Sequence, residues 1–226
     1  MKIRPLHNWD LSVSQALEVQ KHLRKLIRLK NSFRGIHRIK KIAGVDCAIS
    51  ADGKRIYGGV IVYSFPDLKE IERHCESATL DFPYIPGLLS FREGPVLLKV
   101  IKLLNHPPDL FIFDGQGIAH PRGIGIASHL GLFLDKPTIG CAKSRLCGEF
   151  KEPGKRRGDF SPLLSKEGKT IGAVLRTRDA VRPVFISPGH QIDIKTSLEI
   201  IMQCLDRYRI PKPTREADIF VEAAKR

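Results

Sequence analysis

The chain has 226 residues, of which 42% are hydrophobic and 27% are charged, so we expect a folded protein, with one domain over residues 1–226 favoured over two small ones. No apolar run reaches the ~18–20 residues of a membrane span, and Met1–Asp10 lacks the layout of a secretory signal, which predicts a cytoplasmic protein. Lys and Arg number 38 against 24 Asp and Glu, and this net charge of +14 favours a polyanionic partner, either nucleic acid or an anionic membrane surface.

The first elements are predicted to be one long helix and three strands. Ser12 and Gln15 form a capping-box pattern that opens a helix over about 12–33. From Lys21 to Lys41 the chain has nine Lys and Arg and no acid, which indicates either a solvated face or a surface for phosphate contact. Strands are expected at Ile39–Ser50, Tyr57–Ser64 and Ile71–Leu80, the first two joined as a hairpin.

The second half of the chain alternates strands and helices. It opens with a loop, Phe82–Gly87, that is stiff because each proline fixes φ and restricts the residue before it. The predicted strands are Leu110–Asp114, Pro137–Cys141, Thr170–Arg176 and Val184–Ser187, and the predicted helices are Pro95–Asn105, Gly125–Leu134, Ile194–Tyr208 and Thr214–Ala224, with Lys151–Gly158 irregular. Antiparallel strands followed by alternating strands and helices predict a mixed sheet flanked by helices.

The cysteine pattern argues against a zinc site. The chain has five cysteines, an odd number, at wide spacings and without a C-x-x-C pair. We therefore expect buried free thiols in a reducing compartment.

Two aspartates are associated with predicted buried strands. Asp46 lies within Ile42–Ile49, and an acid in so apolar a strand has to be paired, hydrogen-bonded or bound to a metal. Asp114 ends Leu110–Asp114 and is followed by glycine, at the edge where ligands gather in open α/β sheets. An Asp-Gly pair is also a common start of a turn, so the pattern at Asp114 leaves both interpretations open.

Glu93 has a structural and a functional interpretation. Ser90 and Glu93 match a capping box, which would give the carboxylate a structural role. Pro95 favours the first helical position, however, which would make Gly94 the N-cap. Glu93 would then lie just ahead of the helix with its side chain free for chemistry.

Four further residues are candidates with open alternatives. Lys143 follows a buried strand, where it can orient the attacking water, neutralise phosphate charge or simply face solvent. His120 and His129 flank the glycine-rich turn and can be either structural or part of the site. Asp218 lies on the last predicted helix, where a surface position is the ordinary expectation.

Paired carboxylates in a basic protein indicate a hard divalent cation. Oxygen ligands suit Mg²⁺, which keeps some of its waters and binds phosphate oxygens. Carboxylates repel a polyanion unless a cation lies between them, and one or two metal ions can stabilise the attacking and leaving oxygens of phosphodiester cleavage. The pattern therefore predicts a metal-dependent phosphodiesterase, with the number of ions left open.

Four segments together resemble the endonuclease V family. Their order and spacing fit the family over nearly the whole chain, and the run from Pro83 to Glu93 is the most specific of them. The segments are Ala43–Asp46, Pro83–Glu93, Asp114–Gly123 and Gly140–Ser144.

The resemblance implies an RNase H-like fold and a DNA repair endonuclease. It implies a Mg²⁺ site, with Mn²⁺ as a substitute, at Asp46 and Asp114, assisted by Glu93 and Lys143, with Asp218 near the metal. The implied reaction is recognition of deoxyinosine or other deaminated bases, and hydrolysis of the second phosphodiester bond 3′ to that base, leaving 3′-OH and 5′-phosphate.

The resemblance also implies that Tyr84 and its prolines act as a wedge, since a base leaves the stack to be read and a stiff aromatic loop can fill the gap. We expect backbone at Gly87–Leu89 and Gly115–Gly117 to hold the extruded base. The predicted nucleic-acid contacts are Pro83, Tyr84, Ile85, Pro86, Gly87, Leu89, Gly115 and His120.

Other functions remain to be distinguished from this one. Another RNase H-like nuclease would act on RNA–DNA hybrids, branched DNA or inosine-containing RNA, and no residue of the sequence visibly recognises a 2′-OH. A nucleic-acid-binding module without catalysis would not need Asp46. A peripheral membrane protein is disfavoured because Trp9 stands alone, without a basic amphipathic helix around it.

Overall fold

The computed structural model describes residues 1–225, which contain one mixed sheet of eight strands with five α-helices around it. The strands are β1 (Lys41–Ile49), β2 (Arg55–Ser64), β3 (Glu70–Thr79), β4 (Leu110–Phe113), β5 (Thr138–Ala142), β6 (Phe160–Leu164), β7 (Thr170–Leu175) and β8 (Val184–His190). The helices are α1 (Val13–Leu23), α2 (Leu89–Lys102), α3 (Ile126–Leu134), α4 (Ile194–Gln203) and α5 (Lys212–Ala224).

The strand order across the sheet is β3-β2-β1-β4-β5-β8-β7-β6. The predicted hairpin is confirmed, because β1 pairs with β2 in antiparallel register. Lys41 lies opposite Ser64 at one end of the pairing, and Ile49 lies opposite Ile56 at the other. The centre of the sheet is parallel, with β4 between β1 and β5. The carboxyl ends of β1 and β4 therefore meet at the same edge.

Side chains alternate between two cores, one on each face of the sheet. Along β1, Ile42 belongs to the cluster that includes Ile200 of α4, whereas Ala43 and Val45 belong to the cluster that includes Leu97 of α2. The residues of β4 alternate in the same way, with even numbers on the α4 face and odd numbers on the α2 face. Because the side-chain period of a strand is two, positions 46 and 114 continue the row on the α4 face.

Helix α1 begins as predicted and ends ten residues earlier than predicted. Ser12 and Gln15 form the predicted capping box, but the α-helix stops at Leu23 and a short 3₁₀ turn follows. The backbone beyond it makes tertiary hydrogen bonds in place of helical ones. The carbonyl of Arg28 accepts from the N–H of Gln191 at 2.6 Å, and the N–H of Ser32 donates to the carbonyl of Gln191 at 3.1 Å.

Helix α2 begins at Leu89, so the prediction that it starts at Pro95 with Gly94 as its N-cap was wrong. Glu93 accordingly lies within the helix instead of ahead of it, and Ser90 does not cap it. Pro95 costs the helix one hydrogen bond. The first turn is nevertheless held in place, because Phe91 is buried there at 1% exposure.

One strand was missed, and α4 as well as α1 was predicted too long. Strand β6 contains Pro162, a signal against a strand that an edge strand tolerates because its outward N–H positions have no ladder partner. Helix α4 ends at Gln203, five residues before the predicted end. There Asp206 accepts hydrogen bonds from the backbone N–H of Tyr208 and from Arg215, which replaces a further helical turn by a bend.

The cysteines agree only in part with the expectation of buried free thiols. All five thiols are free; Cys141 and Cys204 are buried, whereas Cys47, Cys75 and Cys147 are partly exposed. None of the helices within residues 1–225 has the length and apolar character needed to cross a bilayer.

Candidate active site

Asp46 and Asp114 lie beside each other at the carboxyl ends of β1 and β4. The last register pair of these strands is Val45 with Phe113, and the N–H of Asp114 donates to the carbonyl of Val45 at 3.3 Å. Both aspartates continue the row of side chains on the α4 face. The two carboxylates therefore share one face, which is the arrangement that a common cation requires.

The surroundings of these two carboxyl groups destabilise their negatively charged forms. Burial raises the pKa of Asp46 to about 8, and the charge of Asp114 adds to the shift, while a 2.8 Å hydrogen bond from the N–H of Cys47 opposes it. Burial also raises the pKa of Asp114, an effect that Lys143 partly offsets. The protein thus brings together more negative charge than its own side chains neutralise.

Lys143 places a positive charge in contact with the carboxylates. Its Nζ lies 2.6 Å from Asp114 Oδ2 and 3.1 Å from Asp218 Oδ2, so that one ammonium group joins the edge of the sheet to α5. Burial alone would lower the pKa of Lys143, but the two carboxylates raise it above its ordinary value. Asp218, whose surface position was the ordinary expectation, is therefore brought into the carboxylate cluster.

Glu93 approaches from the opposite face of the sheet, on α2. Burial raises its pKa to about 8, and the charge of Asp114 contributes to the shift. The structure thus brings Glu93 into the electrostatic neighbourhood of Asp114, although its helix begins earlier than the sequence indicated.

The donor set fits a hard divalent cation. Its side-chain donors are carboxylate oxygens, which Mg²⁺ prefers. Across residues 1–225, no group of three or more His, Cys, Asp or Glu side chains is already arranged to hold a metal ion. A pair of carboxylates is nonetheless an ordinary Mg²⁺ arrangement, because this ion keeps several waters and takes the substrate phosphate as a further ligand.

A pocket of about 360 Å³ opens beside the carboxylates, between the proline-rich loop and the loop after β5. Tyr84 stands at its rim with 70% of its surface exposed, and Asp114 and Lys143 lie in its wall. Of the residues predicted to contact nucleic acid, the pocket is lined by Tyr84, Ile85, Pro86, Gly87, Leu89, Gly115 and His120. Pro83 is exposed and does not line it.

Comparison with known proteins identifies the family. The profile of the family described as Endonuclease V matches residues 21–219. The endonuclease V of Methanothrix thermoacetophila is 47% identical over 219 residues, 97% of this chain and 95% of that protein. The crystal structure of the Bacillus subtilis endonuclease V superposes with a TM-score of 0.93 at 34% identity, covering 100% of this chain and 97% of that one.

The chain belongs to the endonuclease V family. It is therefore an enzyme of the nuclease class, and the RNase H-like mixed sheet predicted from the sequence is confirmed. A variant of the Ciona intestinalis endonuclease V, solved with a 23mer DNA containing an inosine followed by a ribo-adenosine, superposes with a TM-score of 0.85 at 26% identity. That match covers 94% of this chain and 96% of the other.

In this member of the endonuclease V family, one carbonyl oxygen fixes the proline-rich loop. The carbonyl of Gly87 accepts hydrogen bonds from Gln20 Nε2 at 2.9 Å, His120 Nε2 at 3.0 Å and Arg122 Nη2 at 2.5 Å. Gly87 has φ +82°, and a Cβ there would lie 2.5 Å from the Arg122 guanidinium, so only glycine permits this approach. His120, predicted to contact nucleic acid, thus also holds the loop that bears Tyr84.

The floor of the pocket is fixed by close backbone contacts. A Cβ on Gly117 would lie 2.1 Å from the carbonyl oxygen of Pro188 on β8, a distance that leaves no room for a side chain. Gln116 Nε2 donates to the carbonyl of Ser144 at 3.0 Å, which joins the loop after β4 to the loop after β5. The pocket therefore has rigid walls before any ligand enters it.

His129 lies outside the carboxylate cluster. Its Nδ1 is 2.8 Å from the hydroxyl of Ser90, its Nε2 is 2.8 Å from His7 Nε2, and the ring packs among Trp9 and Phe91. Burial holds its pKa well below the ordinary value, so the ring is neutral. These contacts give His129 a structural role in the α2–α3 packing.

The sequence interpretation missed several residues of the site. Gln20 lies on α1, far from the motifs in the chain, and no local pattern indicates that it reaches Gly87. Arg145 and Leu146 line the pocket just after Lys143. These two could have been found from the sequence, since they follow the same strand at the same edge as Lys143.

Proposed function

We propose that the chain is a DNA repair endonuclease that recognises deoxyinosine and hydrolyses the second phosphodiester bond 3′ to it, leaving 3′-OH and 5′-phosphate. The reaction uses Mg²⁺, for which Mn²⁺ can substitute. The observation that carries the proposal is the placement of Asp46 and Asp114 on one face, beside the pocket that has Tyr84 at its rim.

Asp46 and Asp114 would hold the metal ion. When bound, Mg²⁺ supplies charge neutralisation at the scissile phosphate and a water of lowered pKa. The raised pKa values of the two aspartates support this assignment, because buried, mutually repelling carboxylates are stabilised by a cation placed between them.

The chain's own residues then orient and neutralise the substrate. Lys143 lines the pocket with 43% of its side chain exposed, so its ammonium group can approach a phosphate oxygen. Asp218 keeps that group in position through its 3.1 Å contact. Glu93 supplies a buried carboxyl group, with a pKa of about 8, that can hold a proton near Asp114.

The base is recognised in the pocket. Tyr84 fills the gap that the extruded base leaves in the stack, and the backbone at Gly87–Leu89 and Gly115–Gly117 encloses the base itself. The three hydrogen bonds to the Gly87 carbonyl preorganise the loop, so that little ordering is needed on binding. The inosine-containing DNA bound by the Ciona intestinalis relative supports the same ligand here.

Inosine followed by a ribonucleotide is a second candidate substrate. The DNA in the Ciona intestinalis complex carries a ribo-adenosine directly after the inosine. We therefore include a ribonucleotide at that position in the test substrates. Faster cleavage of this substrate than of the all-DNA one would favour RNA as the natural target.

The test is cleavage of a labelled deoxyinosine oligonucleotide with and without Mg²⁺, with the cut position mapped. We expect one nick at the second bond 3′ to the lesion, only with the metal. Plain duplex of the same sequence is the control, and equal cutting of both substrates would overturn the proposal. Asp46→Asn and Asp114→Asn should bind the inosine strand without cutting it, whereas a non-catalytic binding module would be indifferent to these changes.

A further inference from the structure

A second groove lies next to the base pocket. It has a volume of about 720 Å³ and lies between the segment after α1, the loop His120–Gly123 and the turn that joins β6 to β7. We call it the basic groove, because Arg24, Lys166 and Lys169 line it together with the apolar residues Ile27 and Leu29. It has no role in the chemistry described above.

The cations of the basic groove outnumber its acids, and none of them is held in an ion pair in the part of the chain that the structure describes. All three, Arg24, Lys166 and Lys169, are exposed. Glu167, the one acid of the groove, directs its carboxylate to the hydroxyl of Ser165 at 2.7 Å. The groove therefore keeps an excess of positive charge that an anionic ligand can use.

The basic groove adjoins the base pocket. His120 lines both, with its ring against the Gly87 carbonyl of the pocket. Arg24 packs over Gly123, where a Cβ would lie 2.7 Å from the Arg24 Nε, so the guanidinium is held against the loop that separates the two cavities. A strand leaving the pocket past His120 meets these cations next.

We propose that the basic groove binds the sugar–phosphate backbone of the substrate nucleic acid on one side of the extruded base. The inference rests on the proposed function, since it is the strand held at the base pocket that extends into the groove. Lys166 and Lys169 contact phosphates from the turn, and Arg24 contacts one from the side of α1. The apolar residues beneath them pack against the sugars.

The test compares two pairs of lysine substitutions. Lys166→Gln with Lys169→Gln removes two charges from the groove, and Lys102→Gln with Lys195→Gln removes two charges from exposed positions on α2 and α4. Binding of a labelled inosine duplex without divalent metal is measured over a range of salt concentrations. Each phosphate contact contributes ~0.7–0.9 to the magnitude of the slope of log K against log salt concentration, which we call the salt slope. The Lys166→Gln/Lys169→Gln pair should therefore reduce this magnitude by about 1.4–1.8, and the control pair should leave it unchanged.

The length of the substrate makes the test specific. The duplex is shortened to a few nucleotides on one side of the inosine, and then on the other. We call the duplex on each side of the inosine an arm. We expect the Lys166→Gln/Lys169→Gln variant to lose affinity only for substrates that retain one of the two arms, while cleavage at saturating substrate stays at the wild-type rate. Arg24→Gln, on a different element, should show the same dependence on that arm.

Three results would overturn the groove assignment. They are an unchanged salt slope for the groove pair, an equal loss in the control pair, or a loss that persists whichever arm is removed. Failure of the proposed function is seen separately, as equal cleavage of inosine and plain duplex by the unaltered protein. The two hypotheses are therefore tested by different measurements.

Discussion

The guanidinium of Arg122 donates to the carbonyl oxygen of Gly87 at 2.5 Å, and its Nε donates to Gln20 Oε1 at 2.5 Å. One side chain thus ties the proline-rich loop to α1 and to the glycine-rich loop after β4. The position of Tyr84 in front of the pocket depends on this link, although Arg122 does not line the pocket.

Loss of this link should weaken lesion recognition more than the chemical step. For Arg122→Met, we expect kcat/KM on inosine duplex to fall by about 10- to 100-fold, since a hydrogen bond from a charged donor is worth ~1.5–3 kcal/mol. Single-turnover rates at saturating substrate should change less. Arg122→Lys is the matched control, and a fall confined to the saturating rate would contradict the positioning role.

Removal of Lys143 should slow cleavage without weakening the response to Mg²⁺. In the proposed metal site Lys143 and the ion would compete for the Asp114 carboxylate, so Lys143→Met would free that group for the ion while losing a positive charge near the phosphate. We expect kcat to fall by ~100-fold, as for other single electrostatic groups. A Mg²⁺ titration of the single-turnover rate measures both effects, and an increase in the Mg²⁺ concentration needed for half-maximal rate would contradict this prediction.

Tyr84 should matter most when the lesion lies in duplex DNA. Its 70% exposure means that Tyr84→Ala leaves the melting temperature unchanged, whereas stacking of an aromatic ring on a base is worth ~1–3 kcal/mol. We expect the ratio of duplex to single-strand cleavage to fall by about 10-fold, because an unpaired inosine need not be extruded. Tyr84→Phe should keep the ratio, and an equal loss on both substrates would rule out the wedge.

The contribution of two buried histidines to folding stability should decrease as the pH falls below about 6.5, against the opposite contribution of the buried carboxyl groups Asp46 and Glu93. Burial lowers the pKa of His120 and of His190 to about 4, so the unfolded chain takes up protons before the folded chain does. The contribution of each neutral ring to the free energy of unfolding is fully present above the unfolded-state pKa of ~6.5 and is lost as the pH falls toward 4. At pH 5 the loss is about 2 kcal/mol per ring.

His190 isolates this effect because it lies outside the pocket. Its Nδ1 accepts the backbone N–H of Arg28 at 3.3 Å, and the side-chain oxygen of His190→Asn can accept the same bond without titrating. Denaturant unfolding at pH 7.5 and pH 5 should show a smaller difference for this variant than for the wild type. His22→Asn, at an exposed position on α1, is the control.

Much of the site could be predicted because its signals are local. Asp46 within an apolar strand indicates a carboxylate that needs a partner, Asp114 before a glycine indicates a sheet edge, and the parallel register places the two side by side. The start of α2 could not be predicted, because the buried packing of Phe91 overrides the Gly94–Pro95 signal. The contact of Gln20 with Gly87 joins distant parts of the chain, which periodicity and capping patterns do not encode.

The pairing of β1 with β4 links the chemistry to the order of folding. Strands β2 and β3 and helix α2 all intervene in the chain before β4 can align beside β1. Strands so far apart in the sequence pair late in folding, because closing the intervening chain costs conformational entropy before the strand contacts stabilise the fold. A nascent or partly unfolded chain that retains only the β1–β2 hairpin therefore lacks one of the two aspartates of the proposed cation site, and we expect it to bind nucleic acid through its basic surface without nicking it.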